Sequence, residues 1–271
     1  MMMLTVLTVG AKKQKQLVIL HSNDTHSCIL PLKEALSDTA LAGRGGYLRR
    51  IAMLKEERQK HPDLLLFDSG DFSQGSSYYT MFKGDVEIGL MNMMGIDAAT
   101  IGNHEFDFGL DNMARIFRMA NFPIVCTNYD FTGTVLEDVC KPWVIINRNG
   151  LKIGVFALCP KMKGLVSDKN CKGVKYLDPA RVASETATML KEQQKCDLVV
   201  CISHLGWNSN RGEDDQYMIS KSRNIDLVLG GHTHTYMTSL EHWNNMDGKP
   251  VAVDQNGKSN IFVGRLVVDL K

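Results

Sequence analysis

The stretch IGNHEFDFG, residues 101–109, places an amide, an imidazole and carboxylates directly after an apolar run that reads as a buried strand. Polar residues often end strands, and Gly with Asn often forms turns, so the stretch alone also permits a purely structural interpretation. The other apolar runs of the chain decide between the two interpretations, because several of them end in the same kinds of residue.

The apolar runs are short, mostly β-branched and bounded by turn residues, which predicts buried strands. They lie at 17–20, 64–67, 97–102, 123–128, 143–146, 153–158, 197–203, 225–230, 250–253 and 261–270. Amphipathic helical patterns separate several of them, at 45–61, 84–95, 110–121 and 178–195. This alternation predicts a layered α/β domain. A hairpin turn at Asn149-Gly150, and the lack of a helix between the last two runs, favour mixed sheets with an antiparallel end.

The composition is that of an ordinary globular protein. The chain has 271 residues, of which 44% are hydrophobic and 23% charged, and its net charge is +1. The length allows one large domain or two small ones. The near-zero charge gives no electrostatic footprint for a nucleic-acid polymer or an anionic membrane, and no run is long enough to span a bilayer.

The N-terminus and the cysteines bear on cellular location. Residues 1–11 contain a short apolar stretch ending in small residues, which we interpret as a shortened export signal; a disordered or strand-like N-terminus is the alternative. We exclude this stretch from the fold and expect one domain over residues 12–271. The chain has seven cysteines and no CxxC pair. Cys126 and Cys201 lie in apolar runs and are expected in the core, whereas Cys159 and Cys171 flank a polar loop and could bridge in an exported protein.

Metal-ligating residue types follow five of the predicted strands. They are Asp24 and His26, then Asp71, then Asn103 and His104, then His204, and finally His232 and His234. Ligands of open α/β sheets bind outside the carboxyl ends of strands. Mixed imidazole and carboxylate ligation suits Mn, Zn, Fe or Co, and a single carboxylate such as Asp71 could bridge two ions. The pattern therefore predicts a site for two divalent metal ions, Mg included among the candidates.

The motifs NDTH, DSGD, GNHEFDFG, SHLG and GGHTH, in this order, resemble the five blocks of the calcineurin-like metallophosphoesterases. Within that superfamily the chain resembles the N-terminal catalytic domain of 5′-nucleotidases and 2′,3′-cyclic phosphodiesterases. The stretches GGYLRR and MNMMGIDAATIGNHEFDFG add to this similarity, which extends over about residues 17–270. The resemblance implies a four-layer α/β/β/α sandwich with mixed sheets.

The resemblance also implies a role for each residue of the site. Asp24, His26, Asp71 and His234 would hold one metal ion, and Asp71, Asn103, His204 and His232 would hold the other. Many family members have Gln where this chain has His234, which is also a competent ligand. His104 would be the catalytic imidazole and Asp107 would orient it. Glu105 and Phe106 would be structural.

These observations predict a dinuclear metal-dependent phosphoester hydrolase that acts on nucleoside monophosphates. We expect an extracytoplasmic, periplasmic location, with the cytoplasm as the alternative. A broad phosphomonoesterase, a cyclic-nucleotide phosphodiesterase and a nucleotide-sugar hydrolase are alternatives. So is a non-catalytic, metal-bound subunit of a larger assembly. The related 5′-nucleotidases continue into a second, nucleotide-binding domain, whereas this sequence stops at Lys271. We therefore expect that a separate chain could supply that domain.

Overall fold

The computed structural model describes residues 15–209 and 212–270. The predicted export signal at residues 1–11 lies outside these ranges. The strands are β1 Lys15–Ser22, β2 Leu65–Asp68, β3 Ala98–Ala99, β4 Tyr129–Asp130, β5 Trp143–Arg148, β6 Leu151–Leu158, β7 Lys175–Tyr176, β8 Leu198–Ser203, β9 Leu227–Leu229, β10 Glu241–Asn244, β11 Pro250–Asp254 and β12 Gly264–Leu270. The α-helices are α1 Tyr47–Lys60, α2 Ser77–Phe82, α3 Asp85–Met94, α4 Gly109–Phe117, α5 Pro179–Thr188 and α6 Asp215–Ser220.

Two mixed sheets contain most of the strands. The first has the order β12-β1-β2-β3 and the second the order β10-β11-β9-β8-β6-β5, while β4 and β7 form a separate two-stranded sheet. The central strands of both large sheets run parallel, and β12, β5 and β10 add antiparallel edges. Because parallel strands end at the same edge of a sheet, the loops that follow them are collected at one end of the domain.

Alternate side chains of the strands enter different hydrophobic layers, as the period of two residues along a strand requires. Leu17, Ile19 and Phe67 of the first sheet meet Val155 and Val200 of the second in a cluster between the sheets. The intervening residues of the first sheet pack against α1, α3 and α4 on its outer face. Those of the second sheet pack against α5 and α6. The layers therefore follow the order α/β/β/α, which confirms the predicted architecture.

The local predictions from sequence are largely confirmed. β5 and β6 form an antiparallel hairpin whose turn residues, Asn149 and Gly150, both have positive φ angles. Asp178 caps α5 by accepting a hydrogen bond from the Arg181 amide at 2.7 Å, with Pro179 in the first turn. The last two predicted strands, however, enter different sheets: β11 lies beside β9, and β12 pairs with β1.

The suggested bridge between Cys159 and Cys171 is not present. Cys159 is fully buried against Cys126, and the Cys171 thiol is directed instead at the carbonyl oxygens of Ser167 and Asp168. Both Cys126 and Cys201 are buried, as expected for core residues. Within the described residues, no helix is long and apolar enough to cross a membrane.

We predict that Phe67→Ala destabilises the fold, because Phe67 is fully buried in the layer between the two sheets. Loss of this side chain should lower the free energy of unfolding by about 3–5 kcal/mol, measured by urea denaturation. Leu48→Ala is the control, since Leu48 is 71% exposed on α1 and its loss should change stability by no more than about 0.5 kcal/mol. Equal effects of the two substitutions would contradict the layer assignment.

Candidate metal centre

The predicted ligands converge where the two large sheets present the carboxyl ends of their strands. The loops after β1, β2 and β3 supply Asp24, His26, Asp71, Asn103 and His104. The loops after β8 and β9 of the second sheet supply His204, His232 and His234. The structure thus brings together residues that lie more than 200 positions apart in the sequence.

One group consists of Asp24, His26 and His234, whose ligand atoms all lie within 4.8 Å of one another. The Nε2 atoms of His26 and His234 are 2.9 Å apart. His234 Nε2 lies 3.4 Å and His26 Nε2 3.9 Å from Asp24 Oδ1. Asp24 is fully buried, and its carboxylate accepts hydrogen bonds from the Asn23 side chain and from the backbone amide of His232. This group corresponds to three of the four ligands predicted for one ion.

A second group consists of Asp71, His204 and His232, also within 4.8 Å of one another. His204 Nε2 lies 3.1 Å from Asp71 Oδ2 and 3.8 Å from Asp24 Oδ1. Asp71 also forms a group with His26 and His104. A single carboxylate is therefore close to ligand atoms of both groups, the position that a bridging ligand requires.

Two buried polar atoms test whether this arrangement fits metal ions. Asn103 Oδ1 is buried and has no hydrogen-bond partner among the described residues. His204 Nε2 is also buried; it faces the carboxylates of Asp71 and Asp24 but forms a well-oriented hydrogen bond with neither. Buried polar atoms are nearly always partnered, so Asn103 Oδ1 requires a ligand that is not a protein group. The other ring nitrogen of His204, Nδ1, donates to the Ser69 carbonyl oxygen at 2.5 Å, which leaves Nε2 as the nitrogen available to a cation. The residues therefore fit divalent metal ions.

The charged side chains of the centre shift one another's pKa values. Burial opposes ionisation of Asp71, but the charges of His204 and His104 outweigh it and hold the pKa of Asp71 below its ordinary value. Burial likewise opposes protonation of His204, yet the neighbouring carboxylates of Asp71 and Asp24 raise its pKa. The pKa of His26 is lowered, mainly by burial. The shift at Asp71 favours its ionised form, the form in which a carboxylate binds a cation.

The backbone is left-handed at most of the candidate ligands. The φ angles are 48° at Asp24, 45° at His26, 53° at Asp71, 75° at His232 and 55° at His234. Such conformations are unfavourable for residues with a side chain and persist only where the surrounding structure enforces them. Backbone strain of this kind clusters at functional sites, which agrees with the position of these residues.

The buried carboxylate of Glu105 holds the loops of the first sheet together. It accepts hydrogen bonds from the backbone amides of Asp71 and Ser73, both at 3.0 Å, and of Gly102 at 2.6 Å. Burial, together with the charge of Asp71, raises the pKa of Glu105 to about 7. A side chain at Gly102 would overlap the Asp71 carboxylate, so only glycine fits there. The expectation that Glu105 is structural agrees with these contacts, although the sequence did not indicate which loops it joins.

His104 and Asp107 lie at the edge of the centre and are partly exposed. His104 Nδ1 is 3.2 Å from Asp107 Oδ2, and this hydrogen bond raises the pKa of His104. One ring nitrogen of His104 also lies within 4.8 Å of ligand atoms of His26 and Asp71. The backbone amide of His104 donates to Asp71 Oδ1 at 2.9 Å, which ties the imidazole to the centre.

Several supporting residues were not identified from sequence. Ser69 fixes the orientation of His204 through its carbonyl group and also donates its hydroxyl to Leu229 O across the two sheets. Asp215 is fully buried and accepts a hydrogen bond from the hydroxyl of Ser203, the residue before His204. Burial raises the pKa of Asp215 to about 7. Only the position of Ser69 and Ser203 next to predicted strand ends could have drawn attention to them.

The comparison with protein families agrees with this geometry. Residues 17–236 match the family model of the calcineurin-like phosphoesterases. The chain therefore belongs to this family, whose members are hydrolases that use divalent metal ions.

Two individual relatives show which members of the family this chain is similar to. The chain is 30% identical over 284 residues to the trifunctional nucleotide phosphoesterase protein YfkN of Bacillus subtilis, covering 93% of this chain and 18% of that protein. It is 30% identical to the snake venom 5′-nucleotidase of Gloydius brevicauda, covering 82% of this chain and 37% of that protein. The chain therefore spans well under half the length of these relatives.

A solved structure with the same fold is that of the 5′-nucleotidase precursor from Thermus thermophilus. It superposes with a TM-score of 0.85 at 26% sequence identity, covering 95% of this chain and 52% of that one. A crystal structure of YfkN from Bacillus subtilis gives a TM-score of 0.77 at 26% identity, covering 95% of this chain and 86% of that one. The sequence-based recognition of the family and of its 5′-nucleotidase branch is confirmed.

We predict that Glu105→Gln weakens the centre without removing a candidate ligand. The amide group turns an acceptor into a donor facing backbone N–H groups, which should cost about 1–3 kcal/mol in the free energy of unfolding. Metal affinity, measured by competition with a chelating dye, should fall as well. Glu137→Gln is the matched control, because Glu137 accepts from the Gly133 amide in an exposed loop. Unchanged stability and metal affinity in Glu105→Gln would show that the Glu105 carboxylate does not hold these loops together.

Proposed function

We propose that this chain hydrolyses phosphate monoesters at a dinuclear metal centre, with nucleoside monophosphates as its substrates. The observation that carries the proposal is the placement of Asp71 within 4.8 Å of ligand atoms from both sides of the centre. Asp24, His26, Asp71 and His234 are the ligands of one ion in this proposal. Asp71, Asn103, His204 and His232 are those of the other.

Two divalent ions held there would supply Lewis acidity, neutralising phosphoryl oxygens and lowering the pKa of water. The protein residues account for orientation and proton transfer. Asp107 holds Nδ1 of His104 in a hydrogen bond, so the imidazole is fixed in orientation and its other nitrogen can exchange a proton with the leaving oxygen of the ester. His104 is therefore the proposed general acid and Asp107 the residue that positions it.

Two clefts are lined in part by residues of the centre. One has a volume of about 540 Å³ and is lined by His26, His104 and His234 together with Ile29 and Tyr78. The other, of about 400 Å³, is lined by His232, Lys161 and Lys163, among others. The first contains the proposed general acid and an aromatic ring, and its volume is in the range of small-molecule sites. We therefore place the nucleoside, which is the leaving group, in the first cleft.

The names of the relatives support the choice of substrate, since they include nucleotide phosphoesterases and 5′-nucleotidases. An extracytoplasmic, periplasmic location is part of the proposal and rests on the apolar stretch within residues 1–11.

The proposal is tested by loading the purified chain with Mn, Co, Zn or Mg and measuring phosphate release. The substrates are the nucleoside monophosphates, p-nitrophenyl phosphate and a cyclic nucleotide. We expect hydrolysis of the monoesters, with higher kcat/KM for nucleotides. A metal-loaded, folded chain that releases no phosphate from any of them would support the non-catalytic alternative. A preference for the cyclic ester would replace the monoesterase by a phosphodiesterase.

Asp71→Ala should remove both metal ions together, because a bridging ligand serves both. Elemental analysis should then find less than one equivalent per chain, and activity should be lost. His234→Gln should keep two equivalents and change mainly the metal that gives the highest rate. Asp63→Ala is the control, since Asp63 is exposed just before β2, at the end of the strand away from the centre. Two full equivalents in Asp71→Ala would show that Asp71 does not bridge.

His104→Ala should lower kcat by about 10²–10⁴-fold on esters with alcohol leaving groups, which need a proton. The loss on p-nitrophenyl phosphate should be much smaller, because the nitrophenolate leaves unprotonated. Asp107→Asn should show a milder version of the same difference. His242→Ala, a change on the exposed strand β10, should leave both rates unchanged. Equal losses on the two kinds of ester would assign His104 to phosphate binding instead of proton transfer.

A further inference from the structure

Two buried thiols lie in contact behind the loop that carries Asn103 and His104. The Sγ atoms of Cys126 and Cys159 are 3.3 Å apart, and the residues are 33 positions apart in the sequence. Cys126 is 4% exposed and Cys159 is fully buried. A disulfide bond is about 2.05 Å long, so closing one here requires a combined movement of the two sulfur atoms of only about 1.3 Å.

The backbone on both sides of the pair is fixed by hydrogen bonds. The Thr127 amide donates to Ala157 O at 2.8 Å, and the Ala157 amide donates to Thr127 Oγ1 at 3.1 Å. The Asn128 side chain accepts from the Cys159 amide and donates to the Cys159 carbonyl oxygen, both at 2.8 Å. Residues 126–128 therefore run alongside residues 157–159, and the contact between the two sulfur atoms follows from backbone pairing.

The contact lies in a segment of the chain that is hydrogen-bonded to both sheets. The segment 123–128 also pairs with the first sheet, because the Val125 amide donates to Ala99 O at 2.8 Å and Thr100 Oγ1 donates to Val125 O at 2.9 Å. The same segment thus joins β3, which leads to Asn103, to the end of β6 in the second sheet. A covalent bond at this point would link this segment, which pairs with β3, to the residue that follows β6.

We propose that Cys126 and Cys159 form a disulfide bond when the chain folds in an oxidising compartment. The partner in the reaction is a small disulfide such as oxidised glutathione. The thiolate of one cysteine attacks a glutathione sulfur and releases one glutathione thiolate. The second cysteine then attacks the mixed disulfide and releases the other. Two cysteine thiols are oxidised, two glutathione thiols are formed, and the two protons pass to the departing thiolates.

Burial decides when this reaction takes place. Burial raises the pKa of the Cys126 thiol well above its ordinary value, so little thiolate is present in the folded protein. The bond therefore forms during folding, before the segment 123–128 is covered. Cys140 lies between the two cysteines in the sequence, is also buried, and is a competitor for either of them. Among the described residues, the Cys126–Cys159 pair is the one for which a direct contact between thiols is observed.

The test is a disulfide map of the full chain. Reduced, unfolded protein is refolded in a glutathione redox buffer, quenched in acid, alkylated and analysed by peptide mass spectrometry. The same map is made for protein secreted into an oxidising compartment, so that the result does not depend on refolding yield. Cys126→Ser and Cys159→Ser each remove one partner. Cys196→Ser is the matched control, because Cys196 is a buried cysteine outside this contact.

We expect the peptides containing Cys126 and Cys159 to be recovered as one linked species in the wild type and in Cys196→Ser, with the other cysteines alkylated. A disulfide bond between these two residues, which are 33 positions apart, should raise Tm by about 5–10 °C relative to the reduced wild type. The two single variants should show neither the link nor the increase. Complete alkylation of all seven cysteines, or a link to Cys140 instead, would overturn the proposal.

Discussion

The contact between Asp71 and His204 joins the two sheets at the end of the domain where the site lies. Asp71 follows β2 of the first sheet and His204 follows β8 of the second, and their charged atoms are 3.1 Å apart. A buried carboxylate is tolerated only when it is paired and hydrogen-bonded. Here the partner is a residue of the opposite sheet, so the position of one sheet is defined relative to the other by the same groups that are proposed to hold the metal ions.

Further polar contacts across the sheets reinforce this joint. The Ser69 hydroxyl donates to Leu229 O, and the His232 amide donates to the Asp24 carboxylate. Below them lies the layer of aliphatic side chains between the sheets, which is apolar and buried. The apolar layer sets the spacing of the sheets without directional preference, whereas the polar contacts specify their register. The strained left-handed residues of the loops are supported by both.

The sequence predicted the architecture and the set of candidate ligands, and the reasons are physical. β1, β2, β8 and β9 are short, continuous apolar runs bounded by turn residues, and each is followed within a few residues by a histidine or a carboxylate. The resemblance to a family then placed Asp71 among them as the shared ligand, a position that the structure permits. It was harder to predict which distant strands and side chains contact each other. β11 and β12 are consecutive in sequence but belong to different sheets, and Cys159 contacts Cys126 instead of Cys171. Such pairings are set by tertiary packing, which a pattern along the sequence does not specify.

The segment 123–128 shows why the centre tolerates its strained loops. It pairs with β3 on one side and is hydrogen-bonded to the end of β6 on the other. The segment therefore holds the two sheets together at a second place, outside the metal ligands. Any relative movement of the sheets would shift Asn103 and His104, which follow β3, against His204 and His232 of the second sheet. With joints at Asp71–His204 and at this segment, such movement is restricted from two directions. Two residues that line the clefts, Tyr78 on α2 and Lys163 in the loop after β6, take no part in either joint. Substitutions in them can therefore alter the choice of substrate while the geometry of the centre is preserved.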